Sequence, residues 1–282
     1  MNMNLLFAIN QNYISLLKTC IRSVLKNGGA EHYDAYILHS DLNAFDYETI
    51  RAAAGERMCC HFVHVDEAIF QGFPVSSRYP KQIYYRLAAP LLLPQALDRI
   101  LYLDVDLVVI NPLTELYAMD FGDDLYIACS HVKELLTRVN QLRLGVEEDV
   151  PYINTGMMLM DLSKLRHQVS IEKLRTAAQK KMHTFILPDQ DLLTVMHGDR
   201  IRLVDTMRYN LSDRLLSAWN ADPRNKNLDL EWVKKNAVII HYYGKNRPWK
   251  ERYSGILDVF YHEIAADQNS EKEIGFGTDQ EA

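Results

Sequence analysis

The chain has 282 residues, 48% of them apolar, with a formal charge of -6 and a pI near 5.9. That is apolar material enough for one large α/β domain or two small ones, while the acidic balance excludes the electrostatic footprint of a nucleic-acid-binding protein and still allows a local basic pocket. No apolar run approaches the roughly 20 residues that cross a bilayer, and the opening MNMNLLFAIN has neither a basic n-region nor a small-residue cleavage site, so a cytoplasmic protein without a transmembrane segment is expected.

Residues 4–9 predict a short buried strand, followed directly by Asn10, Gln11 and Asn12. Polar residues at the carboxyl end of a first strand, opening onto a helix, mark where α/β sheets take nucleotides. There is no G-x-G-x-x-G and no Walker lysine, which removes a dinucleotide fold and a P-loop NTPase. Ile14, Leu17, Ile21, Val24 and Leu25 then recur at helical spacing until Asn27-Gly28-Gly29 stops the helix. Residues 33–39 read as a strand, 41–54 as a helix with Ser40, Asp41 and Asn43 as alternative caps, and 61–65 as a third strand. Cys59 and Cys60 point to opposite faces of extended chain. With Cys20 and Cys129 they show no zinc-type spacing and read as reduced thiols used as small core residues. Residues 74–81 are polar and irregular; 82–92 have helical character, with Ile83, Leu87 and Leu91 on one stripe and Arg86 off it.

The stretch 99–112, RILYLDVDLVVINP, reads as one buried strand of a largely parallel sheet, ended by Asn111-Pro112. Two carboxylates inside such a run are costly unless something positive meets them. In extended chain Asp104 and Asp106 point to the same side while Val105 points away, so the pair can converge on one divalent cation. Oxygen ligands of this kind suit magnesium or manganese and leave positions open for phosphate oxygens. The plainer alternative is a pair of solvated acids on a loop just past the strand.

Residues 125–129 predict a strand, 132–144 a helix, and 152–162 (YINTGMMLMDL) a polar break at Asn154-Thr155-Gly156 followed by a strand. After a helix over 171–181, LPDQDLLTVM opens another with Asp189 as a natural N-cap and Gln190 and Asp191 in its first turn. Strands are expected over 201–205 and 237–241, the second ending in HYYGKNRPW with His241 at the end of an apolar run. Residues 265–282 read as an acidic, disordered tail, leaving one domain over 1–264, with a nucleotide-binding half to about 110 and an acceptor-side half beyond it.

Taken together, LFAINQNY, YYRL, ILYLDVDLVV, YINTGMMLMDL, PDQDLL and HYYGKNRPW stand in the order and rough spacing of glycosyltransferase family 8, and the chain resembles that family from Leu5 to about Tyr253. The resemblance implies a GT-A fold, a Rossmann-like α/β/α sandwich with a central, mostly parallel sheet. It implies retaining transfer of a hexose from UDP-glucose or UDP-galactose to a glycan, glycolipid or glycoprotein. It further implies a manganese (or magnesium) ion on Asp104, Asp106 and His241, with Val105 between them in the donor site. Ala8, Asn10 and Asn12 would line uridine and ribose, and Arg86, Asn154 and Thr155 the donor sugar. Asp189 and Gln190 would lie near the reacting carbon, and Gly244, Lys245 and Arg247 at the diphosphate. Two departures from the family pattern are Asn10 where an aspartate is common, and Arg247-Pro248-Trp249 in place of K-P-W; arginine can grip phosphate bidentately where lysine is a point charge.

Departure of UDP puts negative charge on a phosphate oxygen while the sugar carbon becomes cation-like, and a metal with Lys245 or Arg247 stabilises that charge without a protonation step. Gln190, an uncharged amide, is a poor nucleophile; its carbonyl oxygen steadies the sugar cation, with Asp189 or Asp191 as alternative catalytic groups. The hydrophobic run with D-x-D also fits a haloacid-dehalogenase-type phosphohydrolase attacking through Asp104, and a third reading is a non-catalytic UDP-sugar-binding module. Acceptor surfaces are expected in 132–151 and 205–227, where Arg208, Tyr209, Arg214 and Trp219 are either sugar contacts or anchors.

Overall fold

Apolar runs at Leu5-Leu6-Phe7 and Ile100-Leu101-Tyr102-Leu103 are buried on both faces, and they place strands β1 (Asn2–Ala8) and β4 (Arg99–Leu103) side by side in the middle of a sheet. The structure, a computed structural model, describes residues 1–76, 79–130 and 134–275. The remaining strands are β2 (His32–His39), β3 (Met58–His64), β5 (Leu107–Val109), β6 (Tyr126–Cys129), β7 (Asn154–Asp161), β8 (Ile201–Leu203) and β9 (Ile239–His241). The main sheet has seven strands in the order β3-β2-β1-β4-β7-β6-β8. It is parallel throughout except for β7, which runs antiparallel to both β4 and β6.

Helices pack on both faces. The helix Ile14–Asn27 buries Leu17, Cys20, Ile21 and Val24 in the core on one face, and Tyr85–Leu92 buries Tyr85, Leu87, Ala88 and Ala89 in the core on the other. The helix Ala44–Ala54 starts at Asn43, whose side chain accepts from the N–H groups of Phe45 and Asp46 while Asp46 reaches back to the Asn43 N–H, so Asn43 is the cap among the three alternatives.

Three expectations change. The stretch 99–112 is not one strand: β4 ends at Leu103, residues 104–106 form a bend, and β5 leaves the main sheet to pair antiparallel with β9 in a second, two-stranded sheet. Carboxylates are costly inside a buried apolar ladder, and the chain breaks where they occur, leaving both half-buried at the bend. In the segment 82–92, Leu91 is exposed and Arg86 is buried, because a 3-10 turn at Lys81–Tyr84 precedes the helix and rotates its inward face. The segment expected as a tail from residue 265 continues the final helix, Asp258–Gly275, which Phe260, Tyr261 and Ile264 dock; residues 276–282 lie outside the described residues. The helix expected from 132 is described from Glu134 to Leu144, and residue 132 likewise lies outside the described residues.

The β5–β9 ribbon rests on its own core of Val108, Leu211, Leu216, Val233, Ile240 and Tyr242. Asn111 Nδ2 ties its end to the carbonyls of Lys234 (2.8 Å) and Ala237 (2.6 Å). Ile240→Ala should therefore cost about 2 to 5 kcal/mol by urea denaturation; a loss below ~1 kcal/mol would show that the ribbon is not part of the cooperative unit. A second prediction concerns His197, at the end of the helix Pro188–His197, where burial lowers the imidazole from 6.5 to about 4 and leaves Nε2 without a partner. A neutral folded imidazole and a protonated unfolded one mean that its contribution is present above pH ~6.5 and is lost as pH falls toward the folded value, ~3 kcal/mol in all. His197→Gln should flatten that part of the stability-versus-pH curve, and an unchanged curve would contradict it.

Candidate active site

From β1 the chain proceeds outward to β2 and β3 and then returns to the other side of β1 for β4. The carboxyl ends of β1 and β4 therefore flank the crevice where strand order reverses, which is where open α/β sheets take ligands. A cleft with about 660 Å³ of open space lies there, lined by Ala8, Ile9, Asn10 and Tyr13 after β1, by Pro80, Gln82, Ile83 and Arg86, by Asp104, Val105 and Asp106, and by Arg247.

Two backbone bonds hold the bend that carries the acids. Asp104 N–H donates to the Gly156 carbonyl (2.7 Å), possible because antiparallel β7 begins where β4 ends, and Tyr242 N–H donates to the Asp106 carbonyl (2.8 Å), extending the β5–β9 ribbon. The ribbon pairs Leu107 with His241 and so brings the imidazole over the bend. His241 Nε2 lies 3.0 Å from Asp106 Oδ1 and 3.9 Å from Asp104 Oδ2. One donor atom from each of the three residues falls within 4.8 Å of the others.

These residues fit a divalent cation. Two carboxylate oxygens and an imidazole nitrogen form a donor set suited to manganese. His241 Nδ1 is 2.8 Å from Asn210 Oδ1, the second contact that commits Nδ1 as donor and leaves the Nε2 lone pair for a ligand role. Gly156 leaves the space: a Cβ there would sit 2.2 Å from His241 Cε1 and 2.9 Å from Asp104 Oδ2. Burial, countered by Arg86 and reinforced by Asp106, lifts the Asp104 carboxyl above its ordinary value. Burial also opposes charge on Asp106, but His241 and Arg247 outweigh it and hold that carboxyl low, while Asp106 and Asp104 outweigh the burial of His241 and raise the imidazole. The cluster thus draws positive charge to itself.

Arg86, 8% exposed, links this centre to a neighbouring one. Its guanidinium is 3.1 Å from Asp104 Oδ1 and 3.5 Å from Asp189 Oδ2, donates to the carbonyl (3.1 Å) and Oγ1 (3.2 Å) of Thr155, and stands 4.5 Å over the ring of Tyr102. Tyr102 OH in turn donates to Asp104 Oδ1 at 2.6 Å. Burial works against the charge on Arg86, and Asp104, Tyr102 and Asp189 together more than restore it.

Asp189 is not the cap of its helix. Its Oδ2 accepts from Thr155 Oγ1 (2.7 Å) and faces Arg86, whereas the N–H groups of Ile186 (2.6 Å) and Leu187 (3.1 Å) donate to Asp191. Asp191 is fully buried and also accepts from Arg143 at 2.9 and 2.7 Å and from Tyr152 OH at 2.8 Å. Its lone pairs are committed, so it is a structural anchor here and no alternative nucleophile. Gln190 is buried beside it, and its Oε1 accepts no hydrogen bond from the protein.

Of the residues expected from the sequence, Ala8, Asn10, Arg86, Asp104, Val105, Asp106 and Arg247 meet in the cleft. Arg247 lies 4.0 Å from Asp106 Oδ2 and stacks 5.6 Å over Trp249, its Nε donating to the Gly244 carbonyl (2.8 Å). Gly244 and Lys245 line an adjoining cavity with His241 and Tyr243. Asn154 Oδ1 accepts from Gly156 N–H (3.0 Å) at the start of β7, beside Asp104. Asn12 is displaced from expectation: it is exposed, its N–H caps onto Asn10 Oδ1 (3.0 Å), and the 3-10 turn Gln11–Tyr13 presents Tyr13 to the cleft instead. Sequence reasoning missed Asn210, Tyr102, Tyr13 and Gln82; only Tyr102, two residues before Asp104 on the same strand face, carried a readable signal. Arg208 pairs with Glu115 (2.6 Å), Tyr209 is buried, and the exposed Trp219 donates to the Lys226 carbonyl (3.1 Å).

The fold is that of the GT-A glycosyltransferases: it resembles the solved structure of galactosyltransferase LgtC in complex with donor and acceptor sugar analogues, with a TM-score of 0.77 and 23% identity, covering 94% of this chain and 96% of that one. Residues 4–252 match the family described as Glycosyl transferase family 8, and the chain belongs to that family. Among curated relatives it is 24% identical over 274 residues to Lipopolysaccharide 1,2-glucosyltransferase of Escherichia coli (strain K12), covering 96% of this chain and 79% of that protein. It is 21% identical over 283 residues to Lipopolysaccharide 1,3-galactosyltransferase of Salmonella typhimurium, covering 95% and 78%. Family and fold together overturn the phosphohydrolase reading of Asp104. Among the described residues no helix is long and apolar enough to cross a membrane.

The glycine at the centre is the sharpest test of this geometry. Gly156→Ala puts a Cβ 2.2 Å from His241 Cε1, so it should displace His241 or Asp104 and weaken manganese binding at least ~10-fold by calorimetry, with circular dichroism to check that the variant is folded. Wild-type affinity in that variant would mean that the triad is not the metal site.

Proposed function

We propose that the protein is a retaining, divalent-metal-dependent hexosyltransferase of the cytoplasm that moves glucose or galactose from a UDP-sugar to a glycan or glycoconjugate, with residues 1–264 as its catalytic unit. The observation that carries this reading is the meeting of Asp104, Asp106 and the buried His241, where the two acids line a cleft together with Arg86 and Arg247. Names of the relatives, which include lipopolysaccharide glucosyl- and galactosyltransferases, support the acceptor class and leave the hexose open between two.

Asp104, Asp106 and His241 hold the cation, and Asn210 keeps the imidazole in the ligating tautomer. Manganese, when bound, supplies Lewis-acid stabilisation of the charge that develops on the departing diphosphate. Arg247, held by Gly244 and Trp249, adds a fixed cation on the same side. Ile9, Asn10 and Tyr13 receive the nucleoside, and Asn10 keeps hydrogen-bonding capacity without the carboxylate charge common in the family. Arg86, clamped by Asp104, Asp189 and Thr155, orients the sugar without leaving the cleft wall. Gln190 offers the uncommitted acceptor, an amide oxygen suited to steadying a cation-like sugar carbon.

Thermal shift with UDP-glucose and UDP-galactose, each with and without manganese, should show a metal-dependent rise for one donor; a rise for neither removes the proposal. Asp106→Ala should abolish manganese-dependent UDP binding by calorimetry. Gln190→Ala should lower turnover about 100-fold and change donor affinity little, the sign of an interaction made mainly in the transition state. Turnover with water as acceptor distinguishes an enzyme from a silent binding module.

A further inference from the structure

At the other end of the strands, away from the cleft, a second group of metal-ligating side chains stands on the edge of the sheet. Asp34 of β2 is the direct register partner of Cys59 on edge strand β3, and His61 lies two residues beyond Cys59 on the same face. The carboxylate, thiol and imidazole donor atoms all fall within 4.8 Å of one another. His61 stacks on Tyr36 (centroids 4.6 Å apart, planes at 15°), which fixes the ring with Nε2 2.7 Å from Asp34 Oδ1, and Asn2 Nδ2 donates to Asp34 Oδ2 at 2.6 Å. Cys59 is a free, exposed thiol, contrary to its expected role as a core residue, whereas its neighbour Cys60 packs against the core on the opposite face.

We propose that Asp34, Cys59 and His61 form a zinc site with one position open to solvent. The donor set selects the ion. Thiolate, imidazole and carboxylate favour zinc, with Zn–S near 2.3 Å and Zn–N and Zn–O near 2.1 Å. Around a tetrahedral ion such atoms lie roughly 3.3 to 3.8 Å apart, so modest side-chain rotations close the observed cluster onto zinc. The active centre has no sulfur ligand and suits a harder ion, so the chain carries two centres of opposite preference. Tyr36 and Asn2 act as supports, one holding the imidazole plane and the other one carboxylate oxygen. Zinc there would bind β3 to β2 through side chains as well as through the backbone ladder, securing an edge strand that has only one neighbour.

The test uses cobalt(II) as a probe on the full chain, stripped of metal and kept reduced with a phosphine. The wild type should develop an intense near-ultraviolet thiolate-to-cobalt band that added zinc abolishes. Cys59→Ser should lose the band while keeping wild-type circular dichroism and manganese-dependent turnover within about 2-fold. Asp34→Asn, which preserves shape and the contact to Asn2, should need at least ~10-fold more cobalt. Asp106→Asn should leave the band intact. No band in the wild type, a band that survives Cys59→Ser, or a band lost in Asp106→Asn would each overturn the assignment.

Discussion

The pairing of β5 with β9 is the constraint on which the site depends. Neither strand belongs to the main sheet, and each is three residues long. Their register sets His241 beside Leu107, one residue after Asp106, and so joins an imidazole and a carboxylate that are 135 positions apart in the chain. The ribbon is stabilised by its own apolar cluster, so the energy that holds the imidazole against two carboxylates comes from burial of Val108, Ile240 and their neighbours rather than from the charges themselves. A buried ion pair alone is a weak source of stability; a charged cluster fixed by apolar packing around it is not.

Arg86 is the second element of that balance. With Asp104, Asp106 and Asp189 grouped around the same end of the sheet, one guanidinium offsets part of the negative charge and physically connects the acids of the bend to the helix at Pro188–His197. Its contact with the face of Tyr102, whose hydroxyl also binds Asp104, makes a closed loop of three side chains. Such a loop holds an orientation more firmly than a single ion pair does, because displacement of any member breaks two bonds. The remaining negative charge is what a divalent cation would neutralise.

The sequence made the fold class and most of the cleft legible, and the reason differs from residue to residue. Apolar runs at β1 and β4 are strong signals because buried parallel strands tolerate little else, and the acids between Leu103 and Leu107 stand out against that background. The break of the chain at those acids was not legible, since an extended peptide and a bend satisfy the same alternation over three residues. Asn210 was hidden for another reason: it lies in the irregular turn after the short helix Thr206–Tyr209, where no periodicity exists, and its role appears only when β9 brings His241 to it. Asn12 shows how a turn redirects a polar run: the 3-10 turn Gln11–Tyr13 places Asn10 and Tyr13 on the cleft and leaves Asn12 exposed beside it.

The triplet Asp189-Gln190-Asp191 shows why a motif of similar residues cannot be assigned roles before its helix is placed. Successive residues of a helix are ~100° apart, so three neighbours face three directions. Asp191 turns into the protein, where Arg143, Tyr152 and two backbone N–H groups saturate it and hold the start of the helix. Asp189 turns to Thr155 and Arg86 and becomes part of the charged wall. Gln190 lies between them in sequence, buried, with its own carbonyl oxygen unbonded. A carboxylate at position 190 would add a further negative charge beside a cluster of Asp104, Asp106 and Asp189 that Arg86 already balances only in part.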